Sequence, residues 1–271
     1  MNVDDPAMTV TPLDALVRGP ASVTGTVVLH GAGGTPEFNV PFLDDLTRSG
    51  RVICPYYPGT GPSPRAADAL QLDELADRTV SAADAAGVER FNLLGYSLGS
   101  AVAVRIAARH PDRISRIVLT AGLAHASTSL RLACGVWIAL LKAGDSLTLG
   151  RFLVWASSSE SEWRHRSDDP DAIALEIAAN APDGSAAQAD LARRLDVRAD
   201  LSQVRAPTLV VVPRDDRLVD PAHSAELAHR IPGARLLEIG GGHVIVGPAA
   251  DEWPRAVFDH FDLVEGAPTC A

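Results

Sequence analysis

One pentapeptide, Gly95-Tyr96-Ser97-Leu98-Gly99, constrains this chain more than any bulk property. It joins an apolar, strand-like run, Phe91-Asn92-Leu93-Leu94, to a helix-like run that begins at Leu98 and continues through Ala101-Val102-Ala103-Val104. Turning from strand into helix within five residues forces the central residue into a strained backbone conformation. Glycine on either side lets the two backbones pass closely and leaves the serine hydroxyl exposed at the tip. The helix that follows aims its N-terminus at this point and favours negative charge there. Glycine is abundant in the chain, so the pattern alone has little weight; the strand and helix flanks give it meaning.

The rest of the chain repeats this alternation. Apolar runs at Thr26–His30, Arg51–Cys54, Phe91–Leu94, Ile117–Thr120, Thr208–Val212 and Arg235–Ile239 read as strands. They are nearly continuous in Val, Leu and Ile, as strands buried on both faces must be. Helical patterns at Leu70–Ala86, Leu98–His110, Pro221–Arg230 and Ala250–Phe261 lie between them, with Gly87 and Pro111 at helix ends. The expected fold class is therefore α/β, a mostly parallel sheet flanked by helices. Any antiparallel strand ahead of Thr26 has to be short. From about Leu123 to Leu201 the alternation stops, and helical spacing takes over in Leu130, Cys134, Trp137 and Leu141, and again in Ile173 and Ile177. This stretch holds three of the four tryptophans, Trp137, Trp155 and Trp163. Packing on the core is the plain account of these rings, and lining a substrate pocket is the alternative.

Composition excludes several classes. A net charge of −10 without a Lys/Arg cluster argues against nucleic acid as a partner. The apolar run Leu132–Leu141, flanked by Arg131 and Lys142, is far shorter than the roughly 20 residues a membrane span needs, so no stable membrane insertion is expected. Met1 to Pro12 has neither a basic nor an apolar leader region. Cys54, Cys134 and Cys270 show no metal-type spacing and suit a reducing cytoplasm. The tail Glu265–Ala271 reads as frayed.

Acyl transfer from a serine needs a base, an acid that orients the base, and N–H donors for the oxyanion. Leu98, directly after the serine, supplies one donor. The loop His30-Gly31-Ala32-Gly33-Gly34 after an early strand supplies the other, with Ala32 preferred to Gly33 and His30 bracing the loop. Of the eight histidines, His243 follows the last strand in a triple-glycine loop. His110, His223, His229 and His260 belong to helices or helix ends, and His125 and His165 to the insertion, where packing or surface roles suffice. Pro213-Arg214-Asp215-Asp216-Arg217 offers two acids. Asp216 is preferred, with Asp215 left to pair a neighbouring arginine or cap a turn. The loop after Ile117–Thr120, another place for the acid, has no carboxylate until Asp145. The triad is thus Ser97, Asp216 and His243, in that chain order, and His30, Gly33, Tyr96, Trp137 and Trp155 are candidates for the pocket.

With these residues in place, the chain from Thr26 to Phe261 resembles the α/β-hydrolase superfamily. Pro58-Gly59-Thr60-Gly61-Pro62-Ser63 is similar to a loop of its single-domain esterases, C–C hydrolases and epoxide hydrolases, although Tyr56-Tyr57 stands where those proteins usually carry an aspartate. Epoxide hydrolases and haloalkane dehalogenases place an aspartate in the elbow, so Ser97 points away from both. The resemblance implies a core of residues 1–122 and 201–271 with a helical cap at 123–200. It further implies a serine hydrolase acting through an acyl-enzyme on an ester, thioester or related acyl bond of a small, largely apolar molecule. No metal or organic cofactor is needed for that chemistry, and a monomer or homodimer is expected. The same triad also serves lyases and acyltransferases of specialised metabolism, and the fold carries some non-catalytic binding proteins.

Overall fold

The computed structural model describes residues 10–47, 50–164, 167–247 and 249–263. His165, Cys270, the tail from Glu265 and the stretch before Val10 lie outside them. Seven strands form one sheet: β1 (Ala15–Arg18), β2 (Thr24–Leu29), β3 (Arg51–Pro55), β4 (Arg90–Tyr96), β5 (Ile114–Thr120), β6 (Thr208–Pro213) and β7 (Arg235–Ile239). Their order is β1-β3-β2-β4-β5-β6-β7, parallel throughout except for β1, which runs antiparallel to β3 at the edge. The six strands expected from the sequence are all present, within a few residues at their ends. β1 is the short leading strand; with four residues, two half-buried and two exposed, it leaves almost no apolar signal.

The period-2 geometry of strands divides the core. Val27, Leu29, Ile53, Leu93, Ile117, Leu119 and Val210 face one side, where α3 (Leu72–Ala85), α4 (Leu98–Arg109) and α10 (Pro221–Arg230) cover them. Val28, Val52, Leu94, Val118, Leu209 and Val211 face the other, under the short helices α1 (Pro36–Asn39) and α2 (Leu43–Leu46) and the C-terminal α11 (Ala249–Phe261). α3 shows why such segments become helices. Leu72, Leu75, Ala76, Thr79, Val80 and Ala83 recur at helical spacing on its buried face, and Gly87 just beyond its end takes φ 73°.

Between β5 and β6 the chain forms α5 (Thr128–Ala143), α6 (Ser146–Ser157), α7 (Glu160–Trp163), α8 (Pro170–Ala179) and α9 (Ser185–Ala192). Side-chain caps start four of them, at Ser127, Asp145, Ser159 and Asp169. Within α5, Leu130, Cys134 and Trp137 are buried. The limbs of the segment meet where Ala126 and Val197 donate to Leu195 O and Ala124 O, both at 2.9 Å. Among the described residues, no helix is long and apolar enough to cross a membrane.

Candidate active site

The loops that leave the C-terminal ends of β2, β4, β6 and β7 converge on one side of the sheet, where open parallel sheets place their ligands. Ser97 ends β4 with φ 53° and ψ −118°, a strained conformation for a residue with a side chain. Its flanking glycines leave no alternative. A Cβ on Gly99 would lie 2.1 Å from Leu29 O, and one on Gly95 would lie 2.6 Å from Gly99 O. Ser97 N–H donates to Thr120 O at 2.9 Å, which ties the turn to β5.

His243 and Asp216 reach Ser97 from the far loops. His243 Nε2 lies 3.0 Å from Ser97 Oγ, and its Nδ1 lies 2.7 Å from Asp216 Oδ2. All three residues are buried. The second oxygen of Asp216 accepts from the N–H groups of Leu218 and Val219 at 2.9 and 2.8 Å, which fixes the carboxylate in place. Asp215 is exposed, and its N–H donates to Gly241 O at 3.1 Å. The two adjacent aspartates therefore diverge, and Asp216 is the one that faces the imidazole.

The loop after β2 closes as a tight turn, with Gly34 N–H donating to Gly31 O at 3.3 Å and Gly33 at φ 67°. A Cβ on Gly31 would lie 3.1 Å from Ser97 Cβ, so this turn lies against the serine. Gly33 N–H is already engaged, donating to Gln188 Oε1 at 2.9 Å. Its Cα lies under Trp137, whose Cζ2 would be 2.4 Å from a Cβ there. Gly31 N–H donates to Asn39 Oδ1 at 2.8 Å. Among the described residues, no hydrogen bond engages the N–H of Ala32 or of Leu98.

Three pocket candidates are placed elsewhere. His30 is fully buried: its Nε2 accepts from Tyr57 N–H at 3.2 Å, its Nδ1 lies 2.8 Å from Gly31 O, and burial pulls its pKa down to about 4. It braces the loop as a neutral ring. Tyr96 points to the opposite face of the sheet, as strand alternation requires. It packs on Trp253 at 5.6 Å between ring centroids, and its hydroxyl donates to His243 O, bracing that loop from beneath. Trp155 is 60% exposed, because the helical phase of α6 turns Val154 and Ala156 inward instead. Trp137 and Gly33 do lie together beside the loop.

Three residues that the sequence did not single out hold this arrangement. Asn39 anchors the loop after β2. Gln188 of α9, completely buried, also donates from Nε2 to Thr60 Oγ1 at 2.8 Å and to Pro58 O at 3.3 Å, so it joins two loops. Glu162 of α7 accepts from Gly242 N–H at 3.0 Å beside His243. It also completes a capping box with Ser159, a pattern legible as Ser-x-x-Glu. The Asn39 and Gln188 contacts have no local signature.

Sheet order, turn and converging loops together define an enzyme of the α/β-hydrolase class. The sequence profile of the alpha/beta hydrolase fold matches residues 27–248, and the chain belongs to that family. A pyrrolizixenacetamide deacetylase of Xenorhabdus hominickii is 31% identical over 224 residues, covering 81% of this chain and 84% of its own. A RutD protein of Caulobacter sp. (strain K31), named as a carbamate hydrolase, is 29% identical over 256 residues, covering 89% and 92%. Among solved structures, the alpha/beta hydrolase MGS-M2 from a Medee basin deep-sea metagenome library superposes with a TM-score of 0.83 at 18% identity, over 95% of this chain and 96% of that one.

Proposed function

We propose that this enzyme hydrolyses an acyl bond of a small molecule through a covalent acyl-enzyme on Ser97. The observation that carries the reading is the continuous chain from Ser97 Oγ through His243 to Asp216, at 3.0 and 2.7 Å. His243 Nε2 takes the serine proton as Oγ attacks the carbonyl carbon, then gives it to the leaving group. Asp216 holds the Nδ1–H tautomer and stabilises the imidazolium. The N–H groups of Ala32 and Leu98 receive the oxyanion. Gly33 is unsuited to that role because its N–H already serves Gln188. Water, activated by the same imidazole, then releases the acid and regenerates Ser97.

In this reading residues 123–200 are a cap over a core of residues 1–122 and 201–271, with Trp137 over the oxyanion loop. The relatives' names point to acyl–nitrogen bonds, an acetamide and a carbamate, beside the ester and thioester bonds that this chemistry also cleaves. The proposal places the enzyme in the cytoplasm. In keeping with that, Cys54 and Cys134 are free buried thiols, and burial pushes both above the usual thiol range.

A fluorophosphonate probe tests the nucleophile. It should label the wild type once, at Ser97, and leave Ser97→Ala unlabelled with its circular dichroism unchanged. Labelling that persists in the variant would overturn the assignment. Aryl acetate, acetanilide and carbamate substrates in ¹⁸O-water then resolve the bond class. Label in the released acid marks hydrolysis; an unlabelled alkene product would mark elimination.

A further inference from the structure

A second cluster of chemistry-bearing side chains lies at the neck of the α5–α9 segment. His125 stands just beyond β5 and forms an isolated antiparallel bridge with Asp196 on the returning limb. His223 and Glu226 lie one turn apart on α10, and positions i and i+3 share a helix face. One ligating atom from each of His125, His223 and Glu226 falls within 4.8 Å of the others. The two imidazole centroids are 4.8 Å apart, with the rings 65° to one another.

No hydrogen bond closes the His125–Glu226 contact. His125 Nδ1 lies 3.3 Å from Glu226 Oε2, within ion-pair range, yet it is buried and not aligned for a hydrogen bond to any group. A buried ring nitrogen without a hydrogen bond is costly. Glu226 Oε1 is occupied, accepting from Arg230 Nη1 at 2.9 Å, which leaves Oε2 to the imidazole side. The 3.3 Å separation of His125 Nδ1 and Glu226 Oε2 suits a different role. It matches the edge of a tetrahedron whose metal bonds are about 2.0–2.1 Å, which is about 3.3–3.4 Å.

We propose that His125, His223 and Glu226 bind a divalent transition-metal ion of the zinc type, which pins the neck of the segment to α10. Two imidazoles and one carboxylate suit zinc or cobalt better than the hard cations magnesium and calcium, which demand oxygen shells. Water completes the coordination. The site is built from residues other than Ser97, Asp216 and His243, although the Asp216 charge acts on His223. Its role is structural, closing the joint through which both limbs of the segment join the sheet.

The test uses the full chain without a polyhistidine tag, stripped with chelator and dialysed. Zinc chloride is titrated by calorimetry, and cobalt chloride by visible absorption. The wild type should take up one ion per chain, show the intense bands of four-coordinate cobalt, and melt at a higher temperature with zinc than without. His223→Gln and Glu226→Gln should each weaken uptake at least tenfold with unchanged circular dichroism. If either fails to fold, His125→Gln probes the same site from the neck. His243→Gln should bind as the wild type does, which separates this site from the catalytic histidine. Absence of stoichiometric uptake by the wild type would overturn the proposal. So would uptake that survives the double change His223→Gln/Glu226→Gln, or uptake abolished by His243→Gln alone.

Discussion

Gln188→Leu is the substitution that most directly probes how the α5–α9 segment supports the chemistry. Leucine occupies similar space but offers no polar atoms. The change leaves Gly33 N–H and the Thr60 hydroxyl without their partners at 2.9 and 2.8 Å, and removes the longer bond to Pro58 O at 3.3 Å. Thr60 is completely buried, so water does not replace the missing side chain there. Each buried unmet group costs about 1–3 kcal/mol, so the two principal losses amount to about 2–6 kcal/mol. At roughly 2–4 °C per kcal/mol for a chain of this size, the melting temperature should fall by roughly 4–24 °C. Catalysis should also suffer, because Gly33 is the neighbour of Ala32 and the turn loses an anchor. Full loss of an oxyanion donor costs about 10²–10³ in kcat. A loosened donor should therefore lower kcat by about tenfold or more, with KM changed less. Thermal melts and steady-state kinetics on an aryl ester read both effects, and Gln188→Glu, which keeps the acceptor for Gly33 N–H, should retain more kcat than Gln188→Leu. A Leu variant that melts within about 1 °C of the wild type and turns over within twofold would refute the reasoning.

Other outcomes follow from the same contacts. Asp216→Asn should cut kcat by about 10³–10⁴-fold, because the amide no longer holds the required tautomer, whereas Asp215→Asn should stay within about twofold; equal losses would contradict the divergence of the two side chains. Gly99→Ala should fail to yield soluble protein, because its Cβ would lie 2.1 Å from Leu29 O; a well-folded variant would show that β2 and α4 have room to separate. Because the His30 pKa is lowered to about 4, the unfolded chain takes up this proton first as pH falls below about 6.5. Stability from a neutral His30 is thus complete above that pH and declines towards pH 4 by roughly 3 kcal/mol. Urea titrations of His30→Gln should show a flatter pH dependence than the wild type in this window, and parallel curves would remove His30 as the source.

Local backbone demands were legible along the chain. The turn at Ser97 could be read because each requirement is met within five residues: glycines at 95 and 99, a strand before and a helix after. Strands β2 to β7 followed from near-continuous apolar runs, as burial on both faces requires, and the four core helices from the helical patterns between them. β1 was hidden because a short edge strand with two exposed residues has no such pattern. Asp216 and Asp215 were distinguishable only weakly, as neighbours in one loop with the same chemistry.

The amino-acid sequence by itself determined the sheet, the strained serine and the loop that carries His243, because these depend on neighbours in the chain. Only the tertiary structure decided which carboxylate meets the imidazole. It turned Tyr96 beneath His243 and Trp155 to solvent, and it recruited Asn39, Gln188 and Glu162 as braces. Gln188 reaches Gly33 across 155 residues of chain. Such a contact depends on how distant segments pack, and a buried amide becomes necessary only where two loops close against it and exclude the water that would otherwise satisfy them.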